Sequence, residues 1–137
     1  MSLFLTMASM QSKYTLEEKK AYYKGLRERW ADMKAKASGD NNMKGYFETM
    51  VAQGYEFSYN SFCWVAYQLA AQSLEGIPYV DTKTFQGWRA SGFKVSKGQK
   101  STLEGITWME IEGKEGKEDF IYPKVYHLFH RSQVEPM

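Results

Sequence analysis

The chain has few of the residues that fix chemistry. Its single cysteine, Cys63, rules out an intrachain disulfide framework and fits a reducing, cytosolic setting. His127 and His130 are the only histidines. Three residues apart on an expected strand, they point to opposite faces and cannot share a metal. There is no HExxH, no phosphate loop ending in GK[ST] and no dinucleotide glycine fingerprint. No catalytic residue, metal or cofactor is therefore expected. No apolar run approaches the length needed to span a bilayer, and MSLFLTMASM lacks the basic head and long apolar stretch of a signal peptide. Charge of either sign is also scarce in net terms: +2 overall implies no nucleic-acid partner by itself, so its distribution matters more.

Aromatics, by contrast, are plentiful. Ten Tyr, eight Phe and four Trp exceed the needs of the one domain that 137 residues allow. Surplus rings on a surface can stack on bases.

Residues 1–13 show no period and are expected to be a loose tail or a cloning remnant, with the domain running from 14 to 134. Thr15 and Glu18 form a capping-box pattern that opens a helix. Leu16, Tyr23, Leu26, Trp30 and Met33 recur at helical spacing, and Ser38-Gly39-Asp40 stops it. Its eight cations and four acids between Lys13 and Lys36 read as a solvated face. A second helix spans about 41–53, with Tyr46, Phe47, Met50 and Val51 as its apolar side and Gly54 at its end. Ser58 or Asn60 caps a third helix that is apolar around most of its circumference, hence buried with Cys63 inside it. A cap is the preferred role for Asn60. A contact to phosphate or base is the alternative, because helix N-termini attract anions.

The stretch TFQGWRASGFKVSKGQK, residues 84–100, reads as a short helix capped by Thr84. Gly92 is its glycine stop, followed by an extended step and a Lys97-Gly98 turn. Arg89, Lys94, Lys97 and Lys100 lie here, and no acid occurs between Asp81 and Glu104. Cations with a ring beside them suit a nucleic-acid backbone and its bases. Trp88 is either that ring or a core residue. Sharing a helix face with Phe85 favours the core, which leaves Tyr59 or Tyr79 to stack.

Two-residue alternation then marks strands at 102–112 and 119–130, joined as a hairpin through residues 113–117. Apolar residues on both faces make the second strand central, and Pro123 implies a bulge or local edge. Six acids against two lysines between Glu104 and Asp119 make the hairpin tip a place nucleic acid should avoid. The fold class is α+β: three or four helices followed by a small antiparallel sheet with a long C-terminal hairpin.

Thr84, Phe85, Gly92, Val95, Lys97, Gly98 and Lys100 match, without a gap, a pattern that resembles the N-terminal domain of the ArdC-like antirestriction proteins. Tyr59-Asn60 before the apolar helix, and Tyr126, Phe129 and Gln133 near the end, extend the resemblance over roughly residues 55–133. The chain departs from the pattern at Thr82, where the family often has Trp, at Gly87, where it has Gln, and at His130, where it often has Asn. The resemblance implies a cytoplasmic single-stranded-DNA-binding module, without strong sequence preference, from a plasmid, phage or other mobile element. It would bind through Arg89, Lys94, Lys97 and Lys100 with Tyr59, Asn60, Tyr79 or Trp88. Such proteins commonly carry a downstream peptidase-like domain. The alternatives are a protein-interaction or regulatory domain using the same aromatic surface, or a substrate-binding fragment of a longer metallopeptidase-like protein.

Overall fold

The computed structural model describes residues 15–113, 115–116, 118 and 120–137. The expected tail with Tyr14, Lys114 and Lys117 of the expected hairpin turn, and Asp119 at the start of the second expected strand lie outside the described residues. Helix α1 (Leu16–Ser38) starts where Thr15 Oγ1 accepts the Glu18 N–H at 3.1 Å. The reciprocal half of the capping box is replaced by a side-chain contact, Thr15 Oγ1 to Glu18 Oε1, at 3.2 Å. Leu26, Met33 and Ala37 form its buried stripe, flanked by half-buried Tyr23 and Trp30. Leu16 is exposed, outside the apolar face assigned to it from spacing.

Asp40 joins α1 to helix α2 (Asn41–Ala52). Its carboxylate accepts the Met43 N–H at 3.0 Å and the Tyr67 hydroxyl at 2.8 Å. Those two donors, the Met43 amide foremost, hold the carboxyl below its usual range. Met50 is the buried residue of α2, whereas Val51, expected on the same apolar side, is exposed.

Ser58 caps helix α3 (Tyr59–Ala71), accepting the Ser61 N–H at 3.3 Å. Asn60 lies inside the first turn, so the cap role preferred for it goes to Ser58. Phe62, Cys63, Trp64, Val65, Ala66 and Leu69 are buried, which makes α3 the centre of the core. Burial pushes the Cys63 thiol above its usual range, so it behaves as a small apolar side chain.

Strand β1 (Thr82–Lys83) leads through Thr84, the N-cap of helix α4 (Phe85–Ala90), into strand β2 (Phe93–Val95). Strands β3 (Leu103–Ile111) and β4 (Phe120–His130) form the expected hairpin. The sheet order is β1-β4-β3, so β4 is central. Its register with β3 is regular, with Trp108 opposite Pro123. No bulge is needed. Strand β1 pairs only with Phe129 and His130, so Pro123 lies where β4 has a single neighbour and its missing N–H costs nothing. The free edge of β3 is covered from α3: the Gln68 amide donates to the Glu104 carbonyl at 2.7 Å and accepts its N–H at 2.9 Å, while Gln72 bonds the Thr102 carbonyl at 2.7 Å. Four residues apart, the two glutamines share a helix face and supply the polar partners of a missing strand.

The closing residues leave the sheet. After His130 a short 3-10 turn (Arg131–Gln133) leads into strand β5 (Val134–Pro136), which pairs antiparallel with β2. Sequence patterning announces neither. His130 is buried and caps the turn: Nδ1 accepts the Ser132 N–H at 3.1 Å, and Nε2 lies 2.5 Å from the Glu75 carbonyl, which fixes the Nε2–H tautomer. His127 on the same strand is exposed, so the two imidazoles do face opposite ways.

Candidate nucleic-acid interface

A cleft of about 620 Å³ opens between the loop before α3, the loop before β1 and strand β4. Its aromatic lining is Tyr55, Phe57, Tyr79 and Tyr126. The Tyr55 and Phe57 rings are nearly parallel, 18° apart with centroids at 5.6 Å, and Phe57 lies 6.1 Å from Tyr79. Tyr79 has φ +65°, a left-handed conformation that costs a residue with a Cβ. The fold holds it there by two bonds: its N–H donates to Thr82 Oγ1 at 2.9 Å and its hydroxyl to the Ser61 carbonyl at 3.1 Å. Tyr126 then donates to the Tyr79 hydroxyl at 3.3 Å. Burial, followed by that contact with Tyr126, pushes the Tyr79 hydroxyl far above its usual range, so it stays a neutral donor. Tyr126 can lie flat because Gly105 is directly opposite: a Cβ there would come within 2.1 Å of the ring.

Lys83 also lines the cleft, and its ammonium bonds Ser91 Oγ at 3.0 Å. Beyond it lies α4, where Phe85 is 44% exposed with the Arg89 guanidinium 5.8 Å from its ring centroid. The basic turn follows. Gly98 has φ +85° and the Gln99 N–H bonds the Ser96 carbonyl at 3.1 Å, which leaves Lys97 and Lys100 exposed. Buried Gln133 anchors this turn to the sheet, donating to the Lys100 carbonyl at 2.7 Å and accepting the His130 N–H at 2.9 Å. Arg131, two residues earlier, reaches the Val80 carbonyl at 3.3 Å at the wall of the cleft. Cleft and basic turn are thus both tied to the short segment Arg131–Gln133.

The eight residues singled out from sequence divide accordingly. Tyr79 lines the cleft, and Lys97, Lys100 and Arg89 are exposed cations that pair with no carboxylate among the described residues. Lys94 is exposed but lies 3.6 Å from Glu135 on the paired strand, so its charge is partly offset. Trp88 is fully buried, with Nε1 donating to the Phe129 carbonyl at 2.9 Å and the Lys83 and Arg131 cations each 5.1 Å from its centroid. Of its two readings the structure shows the core one; no face is free to stack. Tyr59 is half-buried against Phe47 and donates to the Ala37 carbonyl at 2.6 Å, tying α3 to the end of α1. Burial raises its hydroxyl to about 12. Asn60 is half-buried beside it, and neither residue lines the cleft.

Phe85, Lys83, Arg131 and the Tyr55–Phe57 pair were missed. Phe85 was assigned to the core with Trp88, yet a six-residue helix resting on one Trp leaves the preceding turn outside. Two rings flanking one residue before a helix cap were a readable signal, whereas the reach of Arg131 across 50 residues to Asp81 was not. A second cleft, about 350 Å³, lies apart from these residues between α1 and α3, where Lys36 caps the Tyr67 ring at 4.2 Å. Among the described residues no group of His, Cys, Asp and Glu is placed to hold a metal, and no helix is long and apolar enough to cross a membrane. Comparison of the chain with protein-family models, with curated proteins and with solved structures finds no match.

Proposed function

We propose that this chain is a binding module for single-stranded DNA without strong sequence preference, rather than a catalyst. The observation that supports the reading is a cleft lined by four aromatic rings whose one lining cation, Lys83, leads onto Arg89, Lys97 and Lys100. Rings take bases of any identity by their faces, while unpaired cations take phosphates and release counterions. The stretch from Glu104 to Asp119 holds six acids against two lysines, a charge balance that a nucleic-acid strand should avoid. The resemblance to the ArdC-like N-terminal domain supports the same reading and adds the proposed setting, an antirestriction-type protein of a plasmid or phage. One observation favours a protein-interaction role instead: Ile111 and Ile121 are exposed on the hairpin.

Fluorescence anisotropy with labelled dT15, its duplex and the matching RNA, each at two salt concentrations, tests the proposal. Tighter binding of the single strand, weakening as salt rises, is expected. Equal or tighter duplex binding, or affinity indifferent to salt, would replace it with the protein-interaction reading.

A further inference from the structure

The molecule carries two surface patches of opposite charge that its own fold keeps apart. The acidic one is the tip of the β3–β4 hairpin. Glu110, Glu112, Glu115 and Glu118 are exposed there and pair with no cation among the described residues. Ile121 stands directly opposite Glu110 in the register, and both it and Ile111 are exposed beside these acids. The basic patch is the Lys97–Lys100 turn with Arg89 and Phe85 of α4. All four side chains are exposed, and the three cations pair with no carboxylate among the described residues.

Both patches are fixed to β4, at opposite ends. The hairpin tip joins Ile111 to Phe120, the first residue of β4. Gln133 ties Lys100 to the backbone of His130, the last residue, and Trp88 ties α4 to the neighbouring Phe129. The strand has 11 residues, so at roughly 3.3 Å per residue about 30 Å separates its ends. The tip cannot reach the turn of its own chain without dismantling the sheet. The two patches also match in kind. At the tip an aliphatic side chain lies across from a carboxylate, Ile121 from Glu110. On α4 an exposed ring carries a guanidinium, Arg89 being 5.8 Å from the centroid of Phe85. Apolar against apolar, with acid against cation, is the complementarity that sets one protein surface on another in a single orientation. A partner for either patch needs the opposite charge around an exposed apolar side chain, and this chain supplies that partner itself.

We propose that the chain associates with copies of itself head to tail, the acidic hairpin tip of one copy seated on the α4 and Lys97–Lys100 surface of the next. The contact is heterologous, so each added copy brings a new free tip or a new free basic surface. Growth then continues as an open chain and does not stop at a two-fold dimer. The tip takes the place that the single-strand reading gives to phosphates, so DNA and the next copy compete for it. The self-association itself does not depend on that reading.

Sedimentation equilibrium of the full chain over a concentration series tests this at about 0.01 M and about 1 M salt, between which the screening length falls from about 30 Å to about 3 Å. A mass that climbs past the dimer with concentration at low salt, and returns to the monomer at high salt, is expected. Two variants, both at exposed positions and both checked for folding by circular dichroism, identify the surfaces: Glu110→Lys with Glu112→Lys, and Lys97→Glu with Lys100→Glu. Each alone should stay monomeric at low salt, since like charges then meet. Their equimolar mixture should associate again, because the reversed tip of one meets the reversed turn of the other. A monomeric unaltered chain at low salt, growth that stops at the dimer, association that survives either variant, or a mixture that stays monomeric would overturn the proposal. Adding dT15 to the unaltered assembly separates it from the single-strand reading. A fall in mass to a complex with one copy of the chain is expected. An assembly unchanged by dT15 would leave the head-to-tail contact standing and take the basic turn out of the strand's path.

Discussion

Gly105→Ala tests how the cleft is built. Gly105 sits in a regular strand, directly opposite Tyr126, and needs no positive φ. On backbone grounds alanine should therefore help, by about 0.5–1 kcal/mol. The side chain reverses that expectation. Its methyl carbon would stand 2.1 Å from Cζ of Tyr126 and 2.5 Å from the hydroxyl oxygen. A planar ring cannot bend aside, so Tyr126 must rotate out, breaking its hydrogen bond with Tyr79 and removing one wall of the cleft. Overpacking of this kind costs about 1–3 kcal/mol. The net loss should then be about 0.5–2 kcal/mol, a fall in melting temperature of roughly 2–8 °C for a chain of this size. Single-strand binding should weaken at the same time.

The decisive measurement is a double-mutant cycle by urea denaturation, with Tyr126→Ala as the second change. Once the ring is gone the methyl group meets open space, and Gly105→Ala should become neutral or stabilising. A coupling of about 1–3 kcal/mol follows. If Gly105→Ala costs the same with and without the Tyr126 ring, then the ring does not rest on Gly105 and does not owe its place in the cleft wall to that glycine.

Trp88→Ala should cost about 3–5 kcal/mol of stability by denaturation, whereas Trp88→Phe, which mainly gives up the bond to the Phe129 carbonyl, should cost about 1–2 kcal/mol; a stable Trp88→Ala variant with weakened DNA binding would return the ring to the interface. Changing Lys97 and Lys100 together to Gln should leave stability within about ±0.5 kcal/mol. The same pair should lower the log–log salt slope of single-strand binding by roughly 1.4, about 0.7 for each phosphate no longer neutralised. Adding Lys94→Gln should change little, because Glu135 already offsets that charge; an unchanged slope in the folded variant would take the turn out of the interface. Burial raises the Asp81 carboxyl, but the Ile77 N–H at 2.7 Å and Arg131 at 2.6 Å outweigh it, and the net shift is downward. A lowered folded-state value means the stabilisation is complete above the unfolded-state value and disappears as pH falls through the folded one. Stability measured from about pH 5 to pH 2 should therefore fall less steeply in Asp81→Asn, and parallel curves would show that Asp81 titrates alike in both states.

The helices were legible because their signals are local. Thr15, Ser58 and Thr84 each cap a helix with their own hydroxyls, and the 23–26–30–33 spacing of α1 faces the core. The hairpin and the central place of β4 were legible for the same reason, alternation and its interruption being short-range patterns. What escaped depends on distant partners. Nothing in VEP announces a strand until β2 is there to pair with it, and nothing in Gln68 or Gln72 announces that they cover the edge of β3. The cleft is the extreme case. Its lining comes from positions 55–61, 79–83 and 126, and Tyr126 joins it only because a glycine 21 residues earlier in the chain lies beneath the ring.

This division bears on how far a motif can be trusted. Of the residues that resemble the antirestriction family, most turn out to hold the backbone. Thr84 caps α4 by accepting the Gly87 N–H at 3.0 Å, and Gly92 and Gly98 take positive φ after the helix and in the turn. Val95 pairs with Val134, and Gln133 ties the turn to the end of β4. His130, where the resembled pattern often has Asn, caps the 3-10 turn through an acceptor nitrogen, a task an Asn side-chain oxygen can also perform. Residues of this kind keep a scaffold, so a match on them argues for shape before activity. Phe85, Lys97 and Lys100 are the members of the pattern left exposed, and they carry what the resemblance says about ligand. The cleft rings stand almost wholly outside the pattern, Tyr126 excepted. A protein that shared the scaffold residues but lacked Tyr55, Phe57 and Tyr79 should therefore keep this fold and lose the single strand. Replacing those three rings by Leu, while sparing every motif position, isolates the same question: retained stability without binding would place recognition in the cleft, and retained binding would place it on the exposed face of Phe85, Lys97 and Lys100.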